Sequence, residues 1–370
     1  AGGQASGYDI EQSIRFNDDD SAYLEWSGYS GSPTSGTDCT FSFWVKRCKL
    51  GATQVCIYGG NASGSTYEGI RFDSDDQFRV FQASSAYDLT TTQVFRDVSA
   101  WSHFVVAFDT DNGTAADRIK IYHNGSRITD FSLETNPSSG YVTNFNTGGA
   151  GEAIQIGREG GNSQFLDGYL AEINFVDGQA LDPTSFGETN SDTGQWVPVE
   201  YAGSYGINGY YLKGQDSSDL GNDSSGNGND FTSSGLAAAD QMSDSPTNNQ
   251  ATLNPLFSGV TLSDGNLVAT ASGNSYQRAF STIAIDDGGK YACEFQKSSG
   301  TFGLIGIMQN GNHTNTTGNS NMYGINLGNG EVFKGNPTAS VLTTLTAPAN
   351  SLMRIEYDGS NDTIKIFDDG

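Results

Sequence analysis

The chain has 370 residues, 43 acidic and 18 basic side chains, a formal charge of −25 and a pI near 4.1. At about 150 residues per domain, that length predicts two to three domains. So acidic a chain lacks the Lys/Arg footprint that phosphate backbones require, which excludes nucleic-acid binding through a basic surface. Its 48 glycines accompany only 8 prolines and no Gly-X-Y period, so collagen is excluded, and an aromatic content of 11% argues against disorder.

There is no apolar run of 18 residues to predict a membrane-spanning helix. Ala1-Gly2-Gly3-Gln4-Ala5 has neither a basic start nor an apolar stretch and is not read as a signal peptide. Cys39, Cys48, Cys56 and Cys293 are too sparse for a disulfide scaffold. Reduced thiols are expected, with Cys48 and Cys56 facing each other across a hairpin as the alternative.

Period-2 alternation dominates the chain and predicts strands. Phe41, Phe43 and Val45 alternate with Ser42, Trp44 and Lys46. Ser102–Phe108 is nearly continuous in apolar residues, as for a strand buried on both faces. Ile119 and Ile121 alternate with Arg118 and Lys120, and Asn124-Gly125 then supplies a type I′ hairpin turn with Ser126–Phe131 returning. Ile154 and Ile156 follow, and Tyr169, Ala171, Ile173 and Phe175 are expected on one face of a long strand. Asp182-Pro183 reads as an N-cap and first helical position for a short helix over Thr184–Glu188. Residues 201–254 are Gly/Ser/Asn/Asp-rich and read as a linker or small irregular subdomain. A second strand series follows: Asn266–Thr270, Phe280–Ile285, Lys290–Gln296, Phe302–Met308, Met322–Leu327, Ser351–Asp358 and Thr363–Phe367. Short strands joined by polar loops predict an all-β protein of two antiparallel sandwiches, over residues 1–200 and 255–370.

Asp117–Gly125 and Asp362–Gly370 share the pattern Asp-x-Ile-Lys-Ile-aromatic-x-(Asn/Asp)-Gly. The first copy continues into a return strand, whereas the second stops at Gly370. The second sandwich is therefore expected to be incomplete there, or its edge to be covered by a neighbouring subunit.

Trp101-Ser-His103-Phe-Val-Val-Ala-Phe-Asp109 with Ile119–Gly125, Phe165-Leu-Asp167-Gly168 through Phe175, and Ser13–Phe16 to Trp26 resemble laminin-G-like domains. These belong to the concanavalin A-like lectin/glucanase superfamily, and the resemblance spans about residues 8–190. Lys290-Tyr-Ala-Cys-Glu-Phe295, Ile305-Gly306-Ile307 and the Ile364 hairpin are more loosely similar to a SPRY-type sandwich. The whole arrangement, with Ser185-Phe-Gly-Glu188 and Thr252-Leu-Asn-Pro-Leu256, is similar to virion proteins of marine tailed bacteriophages, of tail-fibre or lectin-like type.

The glucanase resemblance implies a strand bearing Glu-x-Asp-x-x-Glu, which would place acid and nucleophile carboxylates together, and the chain has none. Asp73, Asp75 and Asp76 read as a solvated loop. His103 lies in a core strand, His123 on a hairpin and His313 in an Asn/Thr-rich loop, with no His-Glu-x-x-His or Gly-x-Ser-x-Gly. No enzyme is expected. Asp223-x-Ser225-x-Asn227-Gly228, with Asp230, spaces oxygens as a calcium loop does, although Ser234 stands where a bidentate glutamate would sit. A plain Asx-turn cluster fits the same residues. Asp18-Asp19-Asp20 is a second cation candidate.

Sugar recognition needs flat aromatic faces beside hydrogen-bonding groups, as adaptable Tyr/Ser/Asn-rich loops provide. Trp26, Tyr29, Tyr87 and Tyr141 are the candidates; for Trp26 and Trp44 core packing is the competing reading. The favoured reading is a non-enzymatic virion appendage that binds a host-surface glycan or glycoprotein. It would sit in the virion among other virion proteins, as a homo-oligomer, most simply a trimer. The alternative is a capsid decoration or fibre protein without a sugar ligand.

Overall fold

The computed structural model describes residues 7–27, 32–61, 66–146, 152–161, 163–272, 277–286, 288–298, 303–308, 322–334, 341–345 and 352–368. The chain divides into two compact units, Ala1–Ile283 and Ala284–Gly370.

In the first unit the strands begin with β1 (Ser13–Phe16), β2 (Tyr23–Trp26), β3 (Asp38–Arg47), β4 (Gln54–Asn61), β5 (Tyr67–Phe72) and β6 (Gln77–Gln82). Next come β7 (Asp88–Val94), β8 (Ser102–Asp109), β9 (Ile119–His123), β10 (Ser126–Ile128), β11 (Phe131–Thr135) and β12 (Glu152–Ile156). The series continues with β13 (Gly168–Asp177), β14 (Gly187–Thr189), β15 (Trp196–Pro198), β16 (Tyr210–Leu212), β17 (Thr232–Ser234) and β18 (Gln241–Met242). Four short strands, β19 (Leu253–Ser258), β20 (Thr261–Ser263), β21 (Val268–Thr270) and β22 (Ala279–Ser281), end the unit.

Two antiparallel sheets form the sandwich. Sheet A runs β10-β9-β8-β3-β13-β1-β18, with β16 also on β13, and sheet B runs β11-β7-β6-β5-β4-β12-β2-β17. Alternate residues of each strand meet between them: Phe41, Phe43, Phe104 and Val106 from sheet A against Ile57, Ile70, Phe78 and Val80 from sheet B. Phe78 and Phe104 stack across the layer with centroids 4.2 Å apart. The expected hairpin is present, with φ of +46° at Asn124 and +77° at Gly125, the left-handed pair a type I′ turn needs. Its return strand stops at Ile128. Thr129 and Asp130 then cross to the other sheet, where Phe131 begins β11.

Strand β13 corrects one expectation. Ala171 pairs with Trp44 and Asn174 with Ser42, so Glu172 and Ile173 together face the single residue Phe43. This is a β-bulge, and Glu172 takes a φ of +52° to make it. The extra residue switches the alternation. Tyr169 and Ala171 lie in the cluster outside sheet A, while Ile173 and Phe175 enter the main core.

Residues 201–254 are part of this sandwich rather than a linker. Strand β16 pairs with β13, β17 with β2 and β18 with β1. The segment straps the outer face of sheet A, covering Trp44, Trp101 and Tyr169 in one cluster, and in another packing its own Tyr205 and Tyr211 against Val105 and Val176. The expected helix is a single 3-10 turn, Pro183–Ser185, with the Asp182 carboxylate accepting from the Thr184 amide as foreseen.

The second unit holds β23 (Lys290–Gln296), β24 (Leu304–Met308), β25 (Met322–Asn326), β26 (Glu331–Lys334), β27 (Val341–Thr344), β28 (Leu352–Asp358) and β29 (Thr363–Asp368). They make a three-stranded sheet, β23-β28-β29, and a four-stranded one, β24-β25-β26-β27. Ile325, Leu327 and Met353 form a small core between them. The expected final hairpin pairs Tyr357 with Ile364; Gly370 lies outside the described residues. All four cysteines are free, and burial pushes the Cys56 thiol up to about 12. Among the described residues no helix is long and apolar enough to cross a membrane.

Candidate functional site

The aromatic residues expected to meet sugar are core residues. Trp26 is 4% exposed and packs on Tyr210 and Phe231; Tyr87 is fully buried between Phe108 and Tyr141. Tyr141 is half-buried, and its hydroxyl donates to Glu68 Oε1 at 2.8 Å. Strand register turns Trp26 on β2 into the sandwich, whereas Tyr87 and Tyr141 lie in loops that pack them against the core. Trp44 stacks on His103 beneath the strap. Tyr29 and His313 lie outside the described residues.

The 223–230 loop does not fit a cation. Asp223 Oδ1 accepts from the amides of Tyr211 (2.8 Å) and Ser225 (2.9 Å), and Oδ2 from the Ser225 hydroxyl (2.7 Å) and the Asn229 amide (3.0 Å). Asp230 Oδ1 accepts from the Asp223 amide, and the Asn227 side-chain amide donates to the carbonyls of Gly206 and Gly209. The carboxylate is saturated by N–H and O–H donors, as in an Asx-turn cluster, which leaves no lone pair for calcium. Asp18 pairs with Lys49 and Asp20 accepts from Asn17, so that trio is no cation cage either. Among the described residues no three His, Cys, Asp or Glu side chains converge as metal ligands.

Asp76 is not solvated as expected. It is 3% exposed and lies between Arg47 (3.0 Å) and Arg96 (2.8 Å). Burial would raise its pKa, but hydrogen bonds from Arg96, the Gly51 amide and Arg47 outweigh that and hold it below the usual value.

One arrangement has the outline of a hydrolytic dyad: Ser42 Oγ lies 2.8 Å from His103 Nε2. The other ring nitrogen excludes that chemistry. Trp196 Nε1–H donates to His103 Nδ1 at 3.0 Å. Nδ1 is therefore the acceptor, and in the neutral ring Nε2 carries the proton and donates to Ser42. Burial lowers the His103 pKa to about 3, so the ring is neutral and cannot take the serine proton. Three carboxyls are pushed up by burial: Glu68 and Asp167 to about 7, and Glu172 in direction alone. None of the three lines a cleft described below.

Two adjoining clefts open where sheets A and B part beside the β9–β10 hairpin. The larger, about 390 Å³, is lined by Thr92, Gln93, His123, Ser126, Arg127, Ile128, Thr129 and Asp130. The smaller, about 220 Å³, shares Gln93 and His123 and reaches Arg47, Arg96 and Asp97. The two-residue crossing at Thr129–Asp130 fixes the larger cleft's wall: Thr92 donates its amide to the Asp130 carbonyl (3.1 Å) and its hydroxyl to Asp130 Oδ1 (3.2 Å). Arg127 forms another edge, held by Asp117 at 2.7 Å. His123 is the floor. Its ring packs against Phe95 and Phe104, and burial lowers its pKa to about 4, so it offers polar but uncharged nitrogens. The larger cleft holds one carboxylate, Asp130, whereas glycoside hydrolysis needs a facing pair. Gln93, Thr92 and Asp130 carry no sequence signal of their own. The Asn124-Gly125 turn, which places His123 and Ser126 side by side, was the legible part.

Residues 18–185 match a family model described as the concanavalin A-like lectin/glucanases superfamily, so this stretch is a laminin-G-type lectin–glucanase domain. No curated protein sequence matches the chain. Among solved structures, a putative carbohydrate-binding protein from Bacteroides ovatus is similar at 14% identity and a TM-score of 0.40, covering 61% of this chain and 58% of that one. Domains LG4-5 of the mouse laminin α1 chain give 7% identity and a TM-score of 0.36, covering 99% of this chain and 79% of theirs. A heptameric SAP-like pentraxin from Limulus polyphemus gives 17% identity and 0.33, covering 47% and 79%.

Proposed function

We propose that this protein is a non-catalytic glycan-binding component of a bacteriophage virion, acting at the host surface, and that the cleft beside the β9–β10 hairpin is where saccharide sits. The observation that carries the binding part is the lining of the larger cleft. It combines hydroxyl, carboxamide, carboxylate and guanidinium groups with a neutral imidazole on a rigid two-sheet frame. Its volume of about 390 Å³ falls in the ~300–1,000 Å³ range of small-ligand sites. The lectin–glucanase domain and the single carboxylate of the larger cleft support binding without hydrolysis. The virion setting rests on the sequence resemblance, and assembly as a trimer with other virion proteins belongs to the same proposal.

A glycan array, followed by calorimetry on its hits, tests the binding. Gln93→Ala and Asp130→Ala are expected to weaken the hit by roughly tenfold each, about 1.4 kcal/mol. No hit at micromolar protein would remove the reading. Density for this chain on the capsid lattice rather than the tail would favour the decoration role.

A further inference from the structure

The two clefts are continuous. Thr92 and Gln93 line the larger, and Gln93 and Val94 the smaller, so consecutive residues of β7 form one wall of both. The β9–β10 hairpin supplies another, with His123 in both clefts, Ser126 in the larger and Asn124 in the smaller.

The polar groups left free along this groove are uncharged. Gln93, Ser126 and Thr129 are exposed, and their side chains have no hydrogen-bond partner among the described residues. His123 turns Nε2 toward the Ser102 hydroxyl at 3.3 Å, which leaves Nδ1, and Asn124 Oδ1 accepts from the His103 amide, which leaves its NH2 group. Val94, 42% exposed, adds apolar surface to the smaller cleft. The guanidinium groups, in contrast, are already paired. Arg127 is held by Asp117 and the Ala116 carbonyl, and Arg47 and Arg96 share Asp76. Each cleft also holds a carboxylate that pairs with no basic side chain among the described residues. Asp130 in the larger accepts from the Thr92 hydroxyl, and Asp97 in the smaller from the Ser99 amide and hydroxyl. With the His123 ring neutral, Arg47, Arg96 and Arg127 are outnumbered by Asp76, Asp97, Asp117 and Asp130, so the groove and its ion-pair partners carry net negative charge.

We propose that the joined groove holds a neutral oligosaccharide, with sugar units in both clefts and Gln93 and His123 at their junction, and that Asp97 and Asp130 turn away acidic glycans. A sugar hydroxyl both donates and accepts, so it can serve a carboxylate, a carboxamide and an imidazole nitrogen alike. A uronate, sialate or sulfate group offers acceptors alone and meets like charge at either end of the groove. The inference rests on the glycan-binding reading and names the class of its ligand.

The test is a glycan array of the full chain with neutral, sialylated, sulfated and uronate-bearing glycans, followed by calorimetry on each hit and its truncated fragments. Neutral hits are expected, each losing roughly tenfold in affinity when cut to a single sugar. Val94→Ala is expected to shrink that gain from chain length about threefold, and Asp97→Asn to raise binding of a hit's uronate analogue by about threefold. Thermal melting confirms that the variants fold, and either alone suffices. Acidic hits, a single sugar bound as tightly as the intact hit, or a folded variant that behaves as wild type would overturn the inference. Each of those results leaves the glycan reading standing, whereas no hit of any charge at micromolar protein removes both.

Discussion

Lys46 Nζ lies 2.7 Å from Asp244 Oδ2, although 198 residues separate the two in the chain. The lysine is fully buried on β3, and Asn249 Oδ1 and the Gln250 carbonyl also accept from it. Trp101 Nε1 donates to the other aspartate oxygen at 2.9 Å. The strap is thus anchored by an ion pair that has left water entirely. Asp244→Ala leaves a buried ammonium without its counter-charge and is expected to cost ~3–5 kcal/mol. Lys46→Met combined with Asp244→Leu removes both charges and is expected to recover most of that loss. Urea unfolding of the two variants beside the wild type measures the coupling; equal losses in the single and double variants would show that the pair does not anchor the strap.

The His103 tautomer gives a second prediction. With Nδ1 accepting from Trp196 and Nε2–H donating to Ser42, nitrogen-15 NMR is expected to find Nε2 protonated and Nδ1 bare at neutral pH. Trp196→Phe orphans Nδ1 and is expected to cost ~1–3 kcal/mol. A fluorophosphonate probe is expected to leave Ser42 unlabelled. Labelling at Ser42 would overturn the non-catalytic reading directly.

What was legible in the sequence follows from the range of the forces involved. Strands β3, β8 and β9 declare themselves through side-chain alternation, and the hairpin through Asn124-Gly125, because both signals are local. The bulge at Glu172 is not local. Tyr8 and Tyr211 hydroxyls donate to the carboxylate of this positive-φ residue from 164 and 39 residues away. Residues 201–254 read as linker because β16, β17 and β18 are two or three residues long and too short to show a period. Their partners are distant in the chain: Lys46, Trp101 and Arg15 lie in its first third, and β13 follows at Gly168–Asp177. Trp26, Tyr87 and Tyr141 have the right chemistry for sugar, but the sheet each one faces is a property of the whole sandwich. The cleft is legible only at His123 and Ser126, since Gln93 and Asp130 become neighbours through the β10–β11 crossing.

The saturation of Asp223 predicts indifference to calcium. Adding calcium or chelating it is expected to leave the melting temperature unchanged, whereas Asp223→Ala strands four donors and is expected to cost ~3 kcal/mol or more. A calcium-dependent rise in the wild-type melting temperature that disappears in Asp223→Asn would restore the cation reading.

The buried titratable groups predict an unusual pH profile. Glu68 ordinarily titrates at 4.5 and Asp167 at 3.8, and both are pushed by burial to about 7 in the folded chain. Across that interval the native state holds protons that the unfolded chain has released, so these two groups lower stability as pH rises. His103 and His123 act in the opposite sense. The unfolded chain protonates them at 6.5, but burial delays protonation of the folded rings to about 3 and about 4, so they lower stability as pH falls. Between about pH 4.5 and 6.5 two proton differences oppose two, and their slopes cancel. Glu68→Gln breaks the balance. Its profile is expected to tilt so that stability rises with pH by up to ~1.4 kcal/mol per unit across that window, while the wild type stays level in these four groups. The slope is independent of any fixed cost of losing the carboxylate that holds Tyr141 and the Phe145 amide. Urea unfolding of both proteins at several pH values between about 4.5 and 6.5 reads it. Parallel profiles would mean that Glu68 is already ionised inside the sandwich, and that its tyrosine and amide donors outweigh burial.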